Sequence, residues 1–289
     1  MNETARIIAS YGLRYTVRTG AGQTYDATAR KKRVDFACGD FVHIRIQNSE
    51  QAVITDHLPR KSLLYRQDAR RTKLIAANAD CLFVITAAVP APDENLLQRA
   101  LVAAEAGGME AFIVLNKTDL PESGAWGRKL DFYRALGYPV IETCALHGAD
   151  GLRPFLAGRT SVFLGRSGTG KSTLTNALLG HDAARTGGLS CASGSGRHTT
   201  THAKLYDLAA DTFLIDSPGL QEFGLHHLPA ADLALYFPDM RRLAGGCRFR
   251  NCSHREEPGC AFKQAAEEGA IRPERLQLLQ RLAGEAGGK

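Results

Sequence analysis

The chain has 289 residues, 44% of them hydrophobic, enough for one large or two to three small cores. Its start, Met1-Asn2-Glu3-Thr4-Ala5-Arg6-Ile7-Ile8, lacks the apolar centre of a signal peptide, and no run is long enough to cross a bilayer, so the secreted and membrane-spanning classes are excluded and a cytoplasmic protein is expected. The net charge of +6 is unevenly spread: +7 over residues 1–73, −5 over 74–240 and +4 over 241–289. Basic ends around an acidic middle suit a large phosphate-bearing partner such as RNA, although surface lysine and arginine that only aid solubility give the same sum.

In chain order, the first seventy residues alternate with a period of two. Tyr15-Thr16-Val17-Arg18, Tyr25-Asp26-Ala27-Thr28, Asp40 to Ile46 and Gln51-Ala52-Val53-Ile54-Thr55 read as short strands separated by glycine or charge clusters. This predicts a small all-β barrel of the five-stranded OB type, with Arg30-Lys31-Lys32-Arg33 on a loop or edge and Leu58-Pro59-Arg60-Lys61-Ser62 as the way out. From about residue 74 the texture becomes α/β. Cys81 to Ile85, Ala111 to Leu115, Pro139 to Ile141, Ser161 to Leu164 and Thr212 to Ile215 are continuous apolar runs, as in a parallel sheet, with helical stretches at Glu94 to Ala106 and Trp126 to Leu136. Ligands are expected at the carboxyl ends of such strands.

The decisive stretch comes directly after Ser161-Val162-Phe163-Leu164. It reads Gly165-Arg166-Ser167-Gly168-Thr169-Gly170-Lys171-Ser172 and opens a helical pattern at Thr173, a G-x-x-x-x-G-K-S phosphate loop in its required context. Its glycines turn backbone N–H groups inward, and the first turn of the helix adds positive potential. Lys171 would reach the β and γ phosphates, and Ser172 would hold Mg²⁺. Asn116-Lys117-Thr118-Asp119 comes after another strand, and the Asp119 carboxylate can accept from the N1–H and exocyclic amine of guanine where adenine offers the wrong pattern. After a third strand comes Asp216-Ser217-Pro218-Gly219: Asp216 would hold Mg²⁺ through water, and the Gly219 N–H would sense the γ phosphate. Thr143-Cys144-Ala145-Leu146 is a candidate backbone contact completing the guanine pocket. Gly196-Arg197-His198-Thr199-Thr200-Thr201 lies in a polar glycine and serine segment suited to a nucleotide-dependent switch. Taken together the motifs predict GTP binding by Asn116 to Asp119, Cys144, Ala145, Gly165 to Thr173 and Gly219.

The order of these motifs is inverted, since Asn116 precedes Gly165. A sheet whose ends lie close together survives such a circular permutation, and the D-x-x-G segment then joins directly to the carboxyl-terminal part of the chain. That part carries Cys247-x4-Cys252-x-His254-x5-Cys260, three thiols and an imidazole that suit a closed, structural Zn²⁺ site, among Arg241, Arg242, Arg248, Arg250 and Arg255. A metal would staple a segment that is small for its own hydrophobic core. Pro273 to Leu282 reads as an amphipathic helix with Leu276, Leu279 and Leu282 on one face.

A basic OB-like barrel, N-K-T-D before G-R-S-G-T-G-K-S, then G-R-H-T-T-T, D-S-P-G and C-x4-C-x-H-x5-C together resemble the ribosome small-subunit-dependent GTPase A family of bacteria. The resemblance spans nearly the whole chain. It implies a multidomain α/β protein with small β: an OB-type barrel over 1–66, a circularly permuted GTPase domain over 67–227 with a mainly parallel sheet and helices on both faces, and a zinc-binding helical domain over 228–289. It further implies a slow GTPase stimulated by the 30S subunit, binding 16S rRNA in late maturation and helping to release an assembly factor, with other assembly factors as partners and a monomer in solution. Some family members carry a longer basic N-terminal arm, whereas this chain starts almost directly at the barrel.

Leu220 occupies the position where Ras-type enzymes place a water-orienting Gln, so intrinsic hydrolysis is expected to be slow. With the resemblance, the catalytic set becomes Lys171, His198 and Thr200, His198 orienting the water; Gln221 is the alternative, and which of Thr199, Thr200 or Thr201 reaches Mg²⁺ stays open. Two other functions compete: a nucleotide-gated RNA-binding module with incidental hydrolysis, and a P-loop ATPase or kinase, against which Asn116 and Asp119 argue.

Overall fold

The computed structural model describes residues 2–29, 36–67, 72–186, 202–217 and 224–287. Five strands open the chain: β1 (Asn2–Ser10), β2 (Arg14–Thr19), β3 (Thr24–Ala29), β4 (Phe41–Ile46) and β5 (Gln51–His57). Their alternation puts Ile7, Tyr15, Val17, Ala27, Val42, Ile44, Ala52 and Ile54 into one core, while Phe41, His43 and Arg45 point outward. The barrel closes because β1 pairs with both β2 and β4. Asp40, fully buried at its base, accepts from the Arg60 guanidinium at 2.7 Å on both oxygens and from the Ala37 N–H at 2.8 Å. The predicted barrel is therefore present, with two unpredicted features. Residues 2–10 form its closing strand, and the exit continues into a two-stranded ribbon, β6 (Leu63–Gln67) with β7 (Thr72–Ala77).

The α/β part then runs as β8 (Cys81–Thr86), α1 (Glu94–Ala106), β9 (Glu110–Leu115), α2 (Ser123–Ala135), β10 (Val140–Glu142), α3 (Arg153–Leu156), β11 (Thr160–Gly165), α4 (Lys171–Thr186), β12 (Ala203–Ala209) and β13 (Thr212–Asp216). Strands β10, β9, β8, β11 and β13 run parallel in that spatial order, and β12 lies antiparallel beside β13. Both central strands, β8 and β11, are buried along their whole length, which explains their unbroken apolar runs. Helices α1 and α2 cover one face; Leu152, Leu156, Leu174 and Leu178 cover the other, over a stack of Phe83 on Phe112 with ring centroids 4.7 Å apart.

Two junctions fix the remaining parts. Strand β12, which local periodicity does not predict, pairs with β1 through Ala9 to Lys204 and Ser10 to Ala203, so the barrel and the nucleotide sheet form one continuous eleven-stranded sheet. Arg6 reinforces the seam, donating to Thr160 Oγ1 at 2.9 Å with its guanidinium 4.6 Å from the centre of the Phe213 ring. At the other end, α5 (Ala261–Glu267) and α6 (Pro273–Gly287) complete the chain. The apolar face of α6 carries Leu276, Leu279 and Leu282 as expected, but Leu278 is buried too. These leucines, with Leu233, Phe237, Met240 and Phe262, share one apolar cluster with α1 and β8. The tail thus draws on the core of its neighbour rather than building its own: within it Arg275, 2% exposed, pairs with Asp239 at 2.7 Å against the Phe237 ring, and Glu285 of α6 pairs with Arg99 of α1 at 2.5 Å, tying the two together. None of the helices among the described residues is long and apolar enough to cross a membrane.

Candidate nucleotide site and metal cluster

The phosphate loop runs from the end of β11 into α4, which starts at Lys171. Two of its glycines are required by space. A Cβ at Gly165 would lie 2.3 Å from the Ile85 carbonyl oxygen, because β8 runs alongside. Gly170 has φ +94°, and a Cβ there would lie 2.2 Å from Asn116 Nδ2. Arg166, Ser167 and Gly168 are exposed at the loop tip, while Thr169 is buried, its hydroxyl donating to the Arg166 carbonyl at 2.9 Å. Lys171 is buried, and its ammonium donates to the carbonyls of Gly165 at 2.9 Å and Arg166 at 3.0 Å. Burial lowers its pKa, and the nearby Asp216 carboxylate partly opposes that shift. The ammonium is thus held inside the loop, where a phosphate oxygen can take over from the carbonyls. Ser172 and Thr173 come next, in the first turn of α4.

Asp216 ends β13, which is paired to β11, so the second phosphate motif lies beside the first. Ser217 locks that neighbourhood, its buried hydroxyl donating to the Phe163 carbonyl at 2.6 Å. Pro218 and Gly219, and with them Leu220 and Gln221, lie outside the described residues, as do His198, Thr199, Thr200, Thr201 and the basic run Arg30 to Arg33.

The candidate base-reading side is built from the ends of β9 and β10. Asn116, 1% exposed, does not face solvent: its Nδ2 donates to the Thr169 carbonyl at 2.9 Å and its Oδ1 accepts from the Ala145 N–H at 3.0 Å. It is a strut between the phosphate loop and the Thr143 to Ala145 turn. The Thr118 N–H donates to the Thr143 carbonyl at 3.3 Å, tying the loop of Asn116 to Asp119 to the same turn. Lys117 adopts the left-handed region at φ +62° and donates to the Val89 carbonyl at 2.9 Å, so its aliphatic stem lies along the rim. Asp119 is exposed, and the Cys144 thiol donates to its Oδ1 at 3.0 Å. The structure therefore brings Asn116 to Asp119, Cys144, Ala145 and the phosphate loop into one continuous rim. Two residues with positioning roles, the Asn116 strut and the Ser217 lock, are not legible as such in the sequence. A small polar residue placed just past a buried strand is the signal that could have found Ser217.

The tail gathers its own four candidate ligands. Donor atoms of Cys247, Cys252, His254 and Cys260 all lie within 4.8 Å of one another. Cys247 Sγ and Cys260 Sγ are 3.9 Å apart, and each is 3.5 Å from His254 Nδ1. A tetrahedron with Zn–S of about 2.3 Å and Zn–N of about 2.0 Å has edges of roughly 3.8 and 3.5 Å, so the donors fit that ion. His254 is held at φ +61°, a costly conformation for a residue with a Cβ, and its ring packs on Phe262 at 4.2 Å. A groove of 680 Å³ opens beside the cluster, and Arg248, Phe249, Arg250 and Arg255 are among its lining.

Residues 57–226 match the model of the RsgA GTPase family. The chain belongs to the RsgA GTPase family. It is 67% identical over 288 residues to the small ribosomal subunit biogenesis GTPase RsgA of Neisseria meningitidis serogroup C, covering 100% of this chain and 94% of that one. It is 44% identical over 283 residues to the protein of the same name from Nitrosomonas europaea, covering 96% and 90%. Among solved structures, YjeQ from Thermotoga maritima superposes with a TM-score of 0.72 at 25% identity, covering 100% of both chains. YloQ, titled a circularly permuted GTPase, does so at 0.67 and 25%, covering 99% and 95%. As an RsgA GTPase this chain hydrolyses GTP to GDP and phosphate.

Proposed function

We propose that the chain acts in maturation of the small ribosomal subunit, hydrolysing GTP slowly alone and faster when bound to the 30S particle. The observation that carries this reading is the likeness over the whole chain to relatives named as small ribosomal subunit biogenesis GTPases. The division of charge supports it: both basic ends, the barrel and the arginine-rich groove beside the cysteines, are suited to 16S rRNA, with Phe249 41% exposed and the Arg248 guanidinium 5.6 Å from the centre of its ring. The working division is 1–66 for the barrel, 67–227 for the GTPase domain and 228–289 for the metal domain, in a cytoplasmic monomer that helps release an assembly factor.

In the site, Asp119 selects guanine, the loop from Gly165 to Thr173 wraps the phosphates, and Lys171 leaves its carbonyl partners for them. Ser172 and Asp216 would hold Mg²⁺, which when bound neutralises charge developing on the β and γ phosphates. Cys247, Cys252, His254 and Cys260 would hold a structural Zn²⁺. His198 orients the attacking water, with Thr200 and its neighbours supplying the switch contact. GTP turnover measured with and without purified 30S subunits tests the reading: stimulation is expected, and unchanged turnover in the presence of bound subunits would favour a nucleotide-gated RNA-binding module instead. His198→Ala should keep nucleotide binding and lose the stimulated rate.

A further inference from the structure

Strand β8 ends at Thr86 and α1 begins at Glu94, and the segment between them passes against the phosphate loop. Both ends of this strap are fixed. The Thr86 hydroxyl accepts from the Trp126 indole N–H at 3.0 Å, and its carbonyl accepts from the Asn116 N–H at 2.8 Å. At the other end the Asp93 carboxylate caps α1, accepting from the Leu96 N–H at 2.9 Å. Between these anchors runs Val89-Pro90-Ala91-Pro92, where two proline rings lock φ and leave the backbone little freedom to lose. Three consecutive strap residues meet the nucleotide rim. The Val89 carbonyl accepts from the Lys117 ammonium at 2.9 Å, a Cβ placed on Gly168 would lie 3.5 Å from Pro90 Cδ, and the Ala91 carbonyl accepts from the Arg166 guanidinium at 3.2 Å. Arg166 belongs to the exposed tip of the loop, and its own carbonyl accepts from the Lys171 ammonium at 3.0 Å and the Thr169 hydroxyl at 2.9 Å. Where residue 166 sits therefore sets where that ammonium waits for a phosphate.

We propose that the strap is a brace for the phosphate loop and that the Arg166 side chain is the positioning residue that seats the loop on it before a phosphate arrives. The inference rests on the reading of Gly165 to Thr173 as the phosphate loop with Lys171 directed to the β phosphate. It adds a role for a side chain that bonds the strap rather than the ligand. An arginine suits this work, because its long stem reaches a carbonyl on another segment while its planar head donates in a fixed direction. The tip is then ordered ahead of binding, so the ligand does not have to supply the free energy of ordering it.

The test compares wild type with Arg166→Ala, Arg166→Lys and Ala91→Gly for affinity toward GDP and toward GMP, which lacks the β phosphate, by displacement of a fluorescent GDP. Arg166→Ala should bind GDP about 2- to 5-fold more weakly, the loss of one exposed hydrogen bond, and should bind GMP as wild type does. Arg166→Lys, which keeps a donor on a stem one atom shorter, should recover part of the GDP affinity. Ala91→Gly loosens the strap backbone and should weaken GDP binding too. Added to Arg166→Ala it should cause no further loss, because both changes act through one contact. The loss in Arg166→Ala should persist in about 0.5 M salt, where attraction between exposed charges is screened within a few ångströms. Unchanged GDP affinity in Arg166→Ala would overturn the proposal, as would an equal loss for GMP, a loss that vanishes at high salt, a lysine variant no better than alanine, or strictly multiplicative effects in the double variant. A wild type that does not prefer GDP to GMP, or a Lys171→Ala variant that keeps full GDP affinity, would instead overturn the reading of the phosphate loop on which the proposal rests.

Discussion

Asn116 offers the sharpest check on how this site is held together. Both ends of its amide are bonded inside the protein, to the Thr169 carbonyl and the Ala145 N–H, and the residue is 1% exposed. Asn116→Ala removes both bonds and strands a carbonyl and an N–H in a buried place, at about 1–3 kcal/mol for each partner left unsatisfied. A total near 3 kcal/mol, at about 2–4 °C per kcal/mol for a chain of this size, corresponds to a fall of roughly 6–12 °C in the melting temperature of the nucleotide-free protein. GDP affinity should fall as well, because the phosphate loop and the base-reading turn lose their common strut. Asn116→Asp keeps the acceptor for Ala145 but sets a carboxylate oxygen against the Thr169 carbonyl, and should be at least as damaging. Thermal unfolding followed by circular dichroism without nucleotide, alongside GDP titration, separates the two possible roles. If GDP binding collapses while the nucleotide-free melting temperature moves by less than about 2 °C, Asn116 acts on the ligand and the strut argument fails.

Gly170→Ala should abolish tight GDP binding, since its Cβ would lie 2.2 Å from Asn116 Nδ2. Combining it with Asn116→Ala removes the clash, so the two stability losses should sum to less than additive by about 1 kcal/mol or more in a double-mutant cycle; strict additivity would refute the contact. Metal analysis of the purified protein should find one zinc per chain, and Cys252→Ser or strong chelation should lower both that content and the melting temperature; full stability without metal would argue against a structural ion. Asp239→Ala should cost about 3–5 kcal/mol, because it leaves the Arg275 guanidinium buried without its carboxylate. Arg18→Ala, at an ion pair with Asp207 whose side chains are 27% and 48% exposed, should cost at most about 1 kcal/mol. Urea titrations of both variants check the contrast, and equal losses would contradict it.

Much of the chemistry could be read directly from the chain. A phosphate loop, a guanine motif and a metal quartet are local strings whose spacing matches the ligand each would hold. Lys171, Asp119 and Cys247 therefore stand out as candidates in the chain alone. The buried strands β8, β9 and β11 could be read as well, because burial on both faces leaves an unbroken apolar run. The elements that escaped are those whose signal depends on a neighbour. Strand β1 buries Ala5, Ile7 and Ala9, all at most 3% exposed. Two of these are alanines, and Ile8 between them is apolar as well because it packs against the neighbouring cluster on the other face, so little periodicity survives in the letters. Strand β12 buries Ala203 and Leu205 at one end only and is secured by pairing with β1 and β13, partners nearly two hundred and about ten residues away.

The sequence by itself determined which groups are available to bind GTP and a metal ion, since each motif carries its chemistry within a few residues. Only the tertiary structure decided how they are held: Asn116 turned inward as a strut, Cys144 placed against Asp119, the barrel fused to the nucleotide sheet through β1 and β12, and α6 packed into the core beside α1. Those arrangements are contacts between residues 25 to about 195 positions apart, and no local pattern encodes a partner at that distance.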